Sequence, residues 1–142
     1  MKTLTIDNLE HIGNDVEELY LIKFSSPTCG PCQSMKPVFT QLEKDNPNLD
    51  IYEVDTSISP ELAQHFTIRS VPTIHFCKGR EILYTFNGAT PLGNLQYVIS
   101  NINDPYFLKH GEFKDSESNK SYVFPMAILG LVVLFLGLFF LL

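Results

Sequence analysis

The sequence predicts an α/β fold, a mixed central β-sheet flanked by helices, followed by a C-terminal transmembrane helix. Three observations predict it. Apolar strand-like runs alternate with segments whose apolar residues recur at helical spacing, in the order β-α-β-α-β-α-β-β-α. Helical crossovers favour parallel pairing of the strands they join, and a final hairpin adds an antiparallel edge. The last 21 residues, Tyr122 to Leu142, carry no charge.

Thr3-Leu4-Thr5-Ile6 alternates and reads as a short strand, and Asp7 or Asn8 would cap a short helix ending before Gly13-Asn14. Leu19 to Phe24 is a buried strand, apolar on both faces except at Lys23. A helix follows from about Cys32 to Asp45, with Met35, Val38, Phe39 and Leu42 toward the sheet. Pro37 lies inside it and should kink it by removing a backbone hydrogen bond. Asn46-Pro47-Asn48 is a stop, and Leu49 to Val54 is the third strand. Ser59-Pro60-Glu61 starts a short helix ending near Phe66. Thr73 to Cys77 and Glu81 to Phe86 are strands joined by the Lys78-Gly79-Arg80 turn. Thr90-Pro91 opens a last helix reaching Ile102, with Leu92, Leu95, Val98, Ile99 and Ile102 on one face.

The domain organisation follows from composition. Residues 1–102 form the domain, residues 103–121 a polar linker and residues 122–142 the transmembrane helix. Tyr106, Phe107 and Phe113 interrupt the linker and would dock on the domain or sit at a membrane surface. Twenty helical residues span about 30 Å, the thickness of a bilayer core, and a buried core helix would instead carry a polar face. A lipid-attachment signal, with Ser116 or Ser118 at its small-residue site, would require a signal peptide. The start carries Asp7, Glu10, Asp15, Glu17 and Glu18 and no apolar stretch, so no signal peptide is expected. Lys109, Lys114 and Lys120 precede the apolar segment, which by the positive-inside rule keeps the domain cytoplasmic.

Composition narrows the function. A net charge of −6 argues against a nucleic-acid partner. Three cysteines are too few for a disulfide-stapled secreted scaffold. Two of them stand in Cys29-Gly30-Pro31-Cys32, between the Leu19–Phe24 strand and the following helix. A thiolate is the nucleophile of disulfide exchange, and helix N-terminal amides favour negative charge. Gly30 allows an unusual backbone angle, and Pro31 pre-sets the first helical turn. A bare C-x-x-C also serves zinc sites, but zinc needs four ligands and only Cys77 and the histidines remain, so no metal is expected.

Residues 1–102 resemble the thioredoxin family. The motif, Pro37 five residues on, and Val71-Pro72-Thr73 before a strand carry the likeness. It implies a thioredoxin fold and a protein-disulfide reductase in which Cys29 attacks and Cys32 resolves. It implies a cis Val71-Pro72 bond facing the motif, with the Val71 backbone free to pair with an extended substrate, and Gly88-Ala89 as a third loop of the groove. No cofactor is implied beyond the Cys29-Cys32 redox disulfide. The partners implied are disulfide-containing proteins, here membrane-proximal, and an upstream reductant such as a thioredoxin reductase. A reducing compartment favours reduction over oxidation.

Two departures stand out. The family usually has tryptophan before the first cysteine; here it is Thr28, which makes the groove rim smaller and more polar. The family's buried aspartate, six residues before that cysteine, is replaced by Lys23. Charged, Lys23 would stabilise a nearby thiolate; neutral, it could accept a proton; snorkelling to the strand end, it would do neither. Gln33 also removes positive charge common beside the motif. Cys77 reads as a core thiol sharing a strand face with His75. Two other readings stay open: a dedicated thiol donor or redox sensor for one membrane partner, and a non-enzymatic binding module.

Overall fold

A computed structural model describes residues 1–15 and 17–113 of the chain. Its strands are β1 (Lys2–Thr3), β2 (Leu19–Ser25), β3 (Asp50–Asp55), β4 (Thr73–Lys78) and β5 (Glu81–Asn87). Its helices are α1 (Ile6–Asp15), α2 (Gly30–Ser34), α3 (Lys36–Asp45), α4 (Pro60–His65), α5 (Leu92–Asn101) and α6 (Pro105–His110). The expected transmembrane helix at 122–142 lies outside the described residues. Among the described residues, no helix is long and apolar enough to cross a membrane.

The strands form one sheet in the order β1-β3-β2-β4-β5. β3 pairs parallel with both β1 and β2, whereas β4 runs antiparallel to β2 and to β5. Antiparallel pairing is therefore not confined to the hairpin edge. The α4 connection returns the chain on the far side of β2 in the reverse direction. β2 is central because nearly every residue in it is buried, on both faces. Ile22 and Phe24 join Tyr52, Val54, Leu62 and Cys77 in one core cluster. The alternate residues Leu21, Ile51 and Ile74 are buried as well. Each side chain of this size contributes about 1.5–3 kcal/mol when fully buried.

The expected single helix over 32–45 is two helices meeting at Met35. Pro37 is in the first turn of α3, where its missing N–H removes no helical bond that the new helix needs. The proline thus restarts the helix rather than bending it. Met35, Phe39 and Leu42 are buried against the sheet as their spacing requires. α3 packs with α5, and Asn46 and Gln96 side chains hydrogen-bond between them at 2.9 Å.

The N-terminal strand is shorter than expected: Ile6 already belongs to α1, which continues through Gly13 to Asp15. Neither Asp7 nor Asn8 is the cap residue. Asn8 sits inside the helix and its Oδ1 accepts the Thr5 amide at 2.8 Å.

The polar stretch after Ile102 is the main correction. α6 forms within the expected linker, and its Phe107 is 3% exposed, so the compact unit runs from Met1 to Glu112. The Asp104 side chain accepts the Tyr106 amide, Pro105 opens the first turn, and Gly111 closes the helix at φ 70°. Of the linker aromatics, Phe107 docks, while Tyr106 is exposed.

Candidate active site

Local sequence places two sulfurs at one helix start. Cys29 is the cap residue of α2, in extended conformation, and Pro31 occupies the first turn. The Cys32 amide donates to Cys29 Sγ at 3.1 Å, so a sulfur does the work usually done by a serine or aspartate oxygen. Cys29 and Cys32 are joined in a disulfide, with Cα atoms 5.3 Å apart. Cys29 is half-buried and Cys32 only 2% exposed. Cys29 is thus the more accessible of the two and Cys32 the more enclosed. Gly30 has open space where a side chain would begin.

Two further loops meet the motif. The Val71-Pro72 peptide bond is cis, and the Val71 carbonyl oxygen lies 3.6 Å from Cys29 Sγ. The Gly88 amide donates to the Pro72 carbonyl at 2.7 Å, which ties the third loop to the second. Gly88 sits at φ 90°, a conformation that disfavours side chains. Thr28 is exposed at the rim, its hydroxyl 3.2 Å from that of Ser26.

Lys23 is where the sequence left three roles open. It is 1% exposed, and its ammonium meets the Glu53 carboxylate at 2.8 Å. The ammonium also lies 5.0 Å from the Phe39 ring centre. It does not snorkel into open solvent. The Ser25 hydroxyl donates to the same Glu53 oxygen at 2.9 Å. Burial alone would raise the Glu53 carboxyl, but the Lys23 and Ser25 hydrogen bonds outweigh it and hold the group below its ordinary range. Lys23, Ser25, Glu53 and Cys32 all line one cleft of about 350 Å³.

Glu53 and Ser25 were not among the residues picked from the sequence. Glu53 was one of two acids in the expected Leu49–Val54 strand, and pairing it with Lys23 requires the parallel β2–β3 register that sets them opposite.

Cys77 lies apart from this site. It is a free, buried thiol, and burial pushes it up to about 12. His75 is on the same strand face, its Nδ1 2.8 Å from the Thr85 hydroxyl. Among the described residues no cluster of three or more histidine, cysteine or acidic side chains is placed to hold a metal ion.

A half-exposed disulfide sulfur, a buried partner and a cis-proline loop beside them are the geometry that comparison with known proteins can decide. A sequence model of the family described as Thioredoxin matches residues 1–101. The chain belongs to the thioredoxin family. It is 38% identical over 96 residues to a putative thioredoxin 2 of Streptomyces coelicolor, covering 68% of this chain and 71% of that one. It is 31% identical over 78 residues to a thioredoxin of Ophiophagus hannah, covering 55% of this chain and 74% of that one. The fold matches mitochondrial thioredoxin 3 from Saccharomyces cerevisiae in its oxidised form at a TM-score of 0.65, with 24% identity, over 71% of this chain and 94% of that one. As a member of this family the chain is a thiol–disulfide oxidoreductase with Cys29 and Cys32 as its redox pair. Disulfide-containing proteins and reductants are its general classes of partner.

Proposed function

We propose that this thioredoxin-family chain reduces protein disulfides beside a membrane, to which residues 122–142 anchor it in a single pass with the domain facing the cytoplasm. The observation that carries the chemical part is the half-exposed Cys29 sulfur beside the Val71 carbonyl, with Cys32 behind it. In the reduced form the Cys29 thiolate attacks one sulfur of a target disulfide, and the other target sulfur leaves and takes up a proton. Cys32 then loses its proton and attacks Cys29 Sγ. The bond between Cys29 and the target breaks, and the Cys29-Cys32 disulfide forms. The target gains two electrons and two protons. An external reductant, such as a thioredoxin reductase, returns the pair to the dithiol. No cofactor beyond the two sulfurs is needed for this balance.

The Val71 backbone offers an extended target segment a strand-like pairing partner, and Thr28 and Gly88 complete the rim. The membrane part rests on the 21 uncharged residues from Tyr122 and on Lys109, Lys114 and Lys120 before them. Tethering raises the effective concentration toward membrane targets, to roughly millimolar for short linkers.

Trapping tests both parts. A Cys32→Ser variant should stall as a mixed disulfide through Cys29. The full chain should trap mainly membrane-associated proteins, and the same variant lacking 122–142 a broader set. Identical sets from both would reject the tether. No trapped species, with Cys29 reduced and free, would reject the reductase reading in favour of a binding module.

A further inference from the structure

The ion pair of buried Lys23 with half-buried Glu53 has no role in the steps above, yet it lines the same cleft as the second thiol. That cleft admits solvent on one side, since the Glu53 side chain is 37% exposed while that of Lys23 is 2% exposed. The charged groups facing it are Lys23 from β2, Glu53 and Asp55 from β3 and Lys36 from α3. Asp55 is already engaged by the hydroxyl and amide of Ser57. Lys36 is exposed at the rim, where water and salt screen its charge. The ammonium of Lys23 is removed from water, where a charge acts over the same distance with several-fold greater strength.

The second thiol transfer creates a negative charge in this cleft. Cys32 must release its proton to solvent before its sulfur attacks Cys29 Sγ and expels the target thiolate. A cation near Cys32 lowers the cost of that charge, and a carboxylate near it raises the cost. Both are present, held on each other. We propose that Lys23 and Glu53 are opposed positioning residues for the resolving step: the Lys23 ammonium favours the Cys32 thiolate, and Glu53 holds that ammonium in place while limiting its effect. The inference rests on Cys32 being the resolving thiol. It separates the two residues by sign. Removing Lys23 leaves an unpaired carboxylate in the cleft that Cys32 lines. Removing the Glu53 charge leaves an unpaired ammonium there.

The test uses reduced full-length protein mixed with 5,5′-dithiobis(2-nitrobenzoate) in a stopped-flow instrument. Cys29 attacks first and releases one thionitrobenzoate. Cys32 then displaces the second from Cys29, and the phase whose rate does not change with reagent concentration reports this unimolecular resolving step. Its rate against pH gives the midpoint for Cys32 ionisation. Lys23→Met, which fits an apolar site and leaves Glu53 partly solvated, should move that midpoint up by about one pH unit. Glu53→Gln, which keeps the hydrogen-bonding shape, should move it down by a similar amount. At a pH below the midpoint these are tenfold slower and tenfold faster release. The double variant should return close to the parent. A merely structural pair would move both single variants the same way or not at all, and either result overturns the proposal. Should Lys23→Met fail to fold, Glu53→Gln alone decides, because an unmoved or raised midpoint is incompatible with the assigned sign. Release of a single thionitrobenzoate by the parent protein would instead defeat the resolving role of Cys32 itself.

Discussion

Cys29 Sγ lies 3.6 Å from the Val71 carbonyl oxygen, although 42 residues separate the two in the chain. The contact joins the start of α2 to the loop before β4, with the half-buried Cys29 between them. Helix-start amides favour a thiolate, and Cys29 is more accessible than either other cysteine.

In the reduced protein, limiting iodoacetamide near neutral pH should therefore modify Cys29 first. Cys77 should react last, since it is 2% exposed and burial pushes it up to about 12. Peptide mapping of the alkylated protein checks the order. Early labelling of Cys77 would contradict the burial described above.

The sixth helix should be part of the folding unit. Phe107→Ala removes a side chain that is 3% exposed, and should cost about 3 kcal/mol in urea unfolding. Asp104→Ala removes the cap at the same helix start and should cost about 1 kcal/mol. Ending the chain at residue 102 should be more damaging than ending it at residue 113. Equal stability of the two truncations would show that α6 contributes nothing.

Gly88→Ala isolates a backbone effect. No atom lies within 4 Å of the added methyl, but φ is +90°. The substitution should destabilise by about 1–2 kcal/mol from conformation alone. It should also loosen the Gly88 amide bond to the Pro72 carbonyl, seen as faster hydrogen exchange at that amide. Unchanged stability and exchange would contradict the constraint.

Acid should weaken the fold in two stages. Burial holds the His75 imidazole below its ordinary 6.5, so the unfolded chain takes up this proton first. Stability then falls as pH drops from about 6.5 toward the lower folded value. Glu53 acts further down. Burial raises its carboxyl, the Lys23 and Ser25 hydrogen bonds lower it more, and the net position is below 4.5. Its contribution is present above that pH and is lost as pH falls through the folded value. Urea midpoints measured against pH should lose the first stage in His75→Gln and the second in Glu53→Gln. A decline from 6.5 that persists in His75→Gln would assign that stage to another group.

Legibility in the sequence followed locality. The Met35–Leu42 stripe and the Lys78–Arg80 hairpin depend on neighbours a few positions away, and Met35, Phe39 and Leu42 are buried as their spacing required. Only the half-buried Val38 is less covered than expected. Cys29 and Cys32 were legible for the same reason, being three apart at a strand-to-helix junction. The partner of Lys23 was not legible, because Glu53 comes opposite it only through parallel strand register. α6 is a different failure. Asp104-Pro105 and Gly111 are ordinary start and stop signals, but the surrounding charges gave the whole stretch the composition of a linker. The helix restart at Met35 was also hidden, since a proline reads alike as a kink within one helix or as the first turn of the next.

The isolation of Cys77 sets how many electrons the domain can hold. Its thiol is buried on a core face, and Tyr20 and Phe66 stand around the same cavity. Of three cysteine sulfurs, two can therefore cycle, and the described domain delivers one electron pair per turn. With Cys77 held in the core, disulfide exchange moves the domain between two states, the Cys29-Cys32 dithiol and its disulfide.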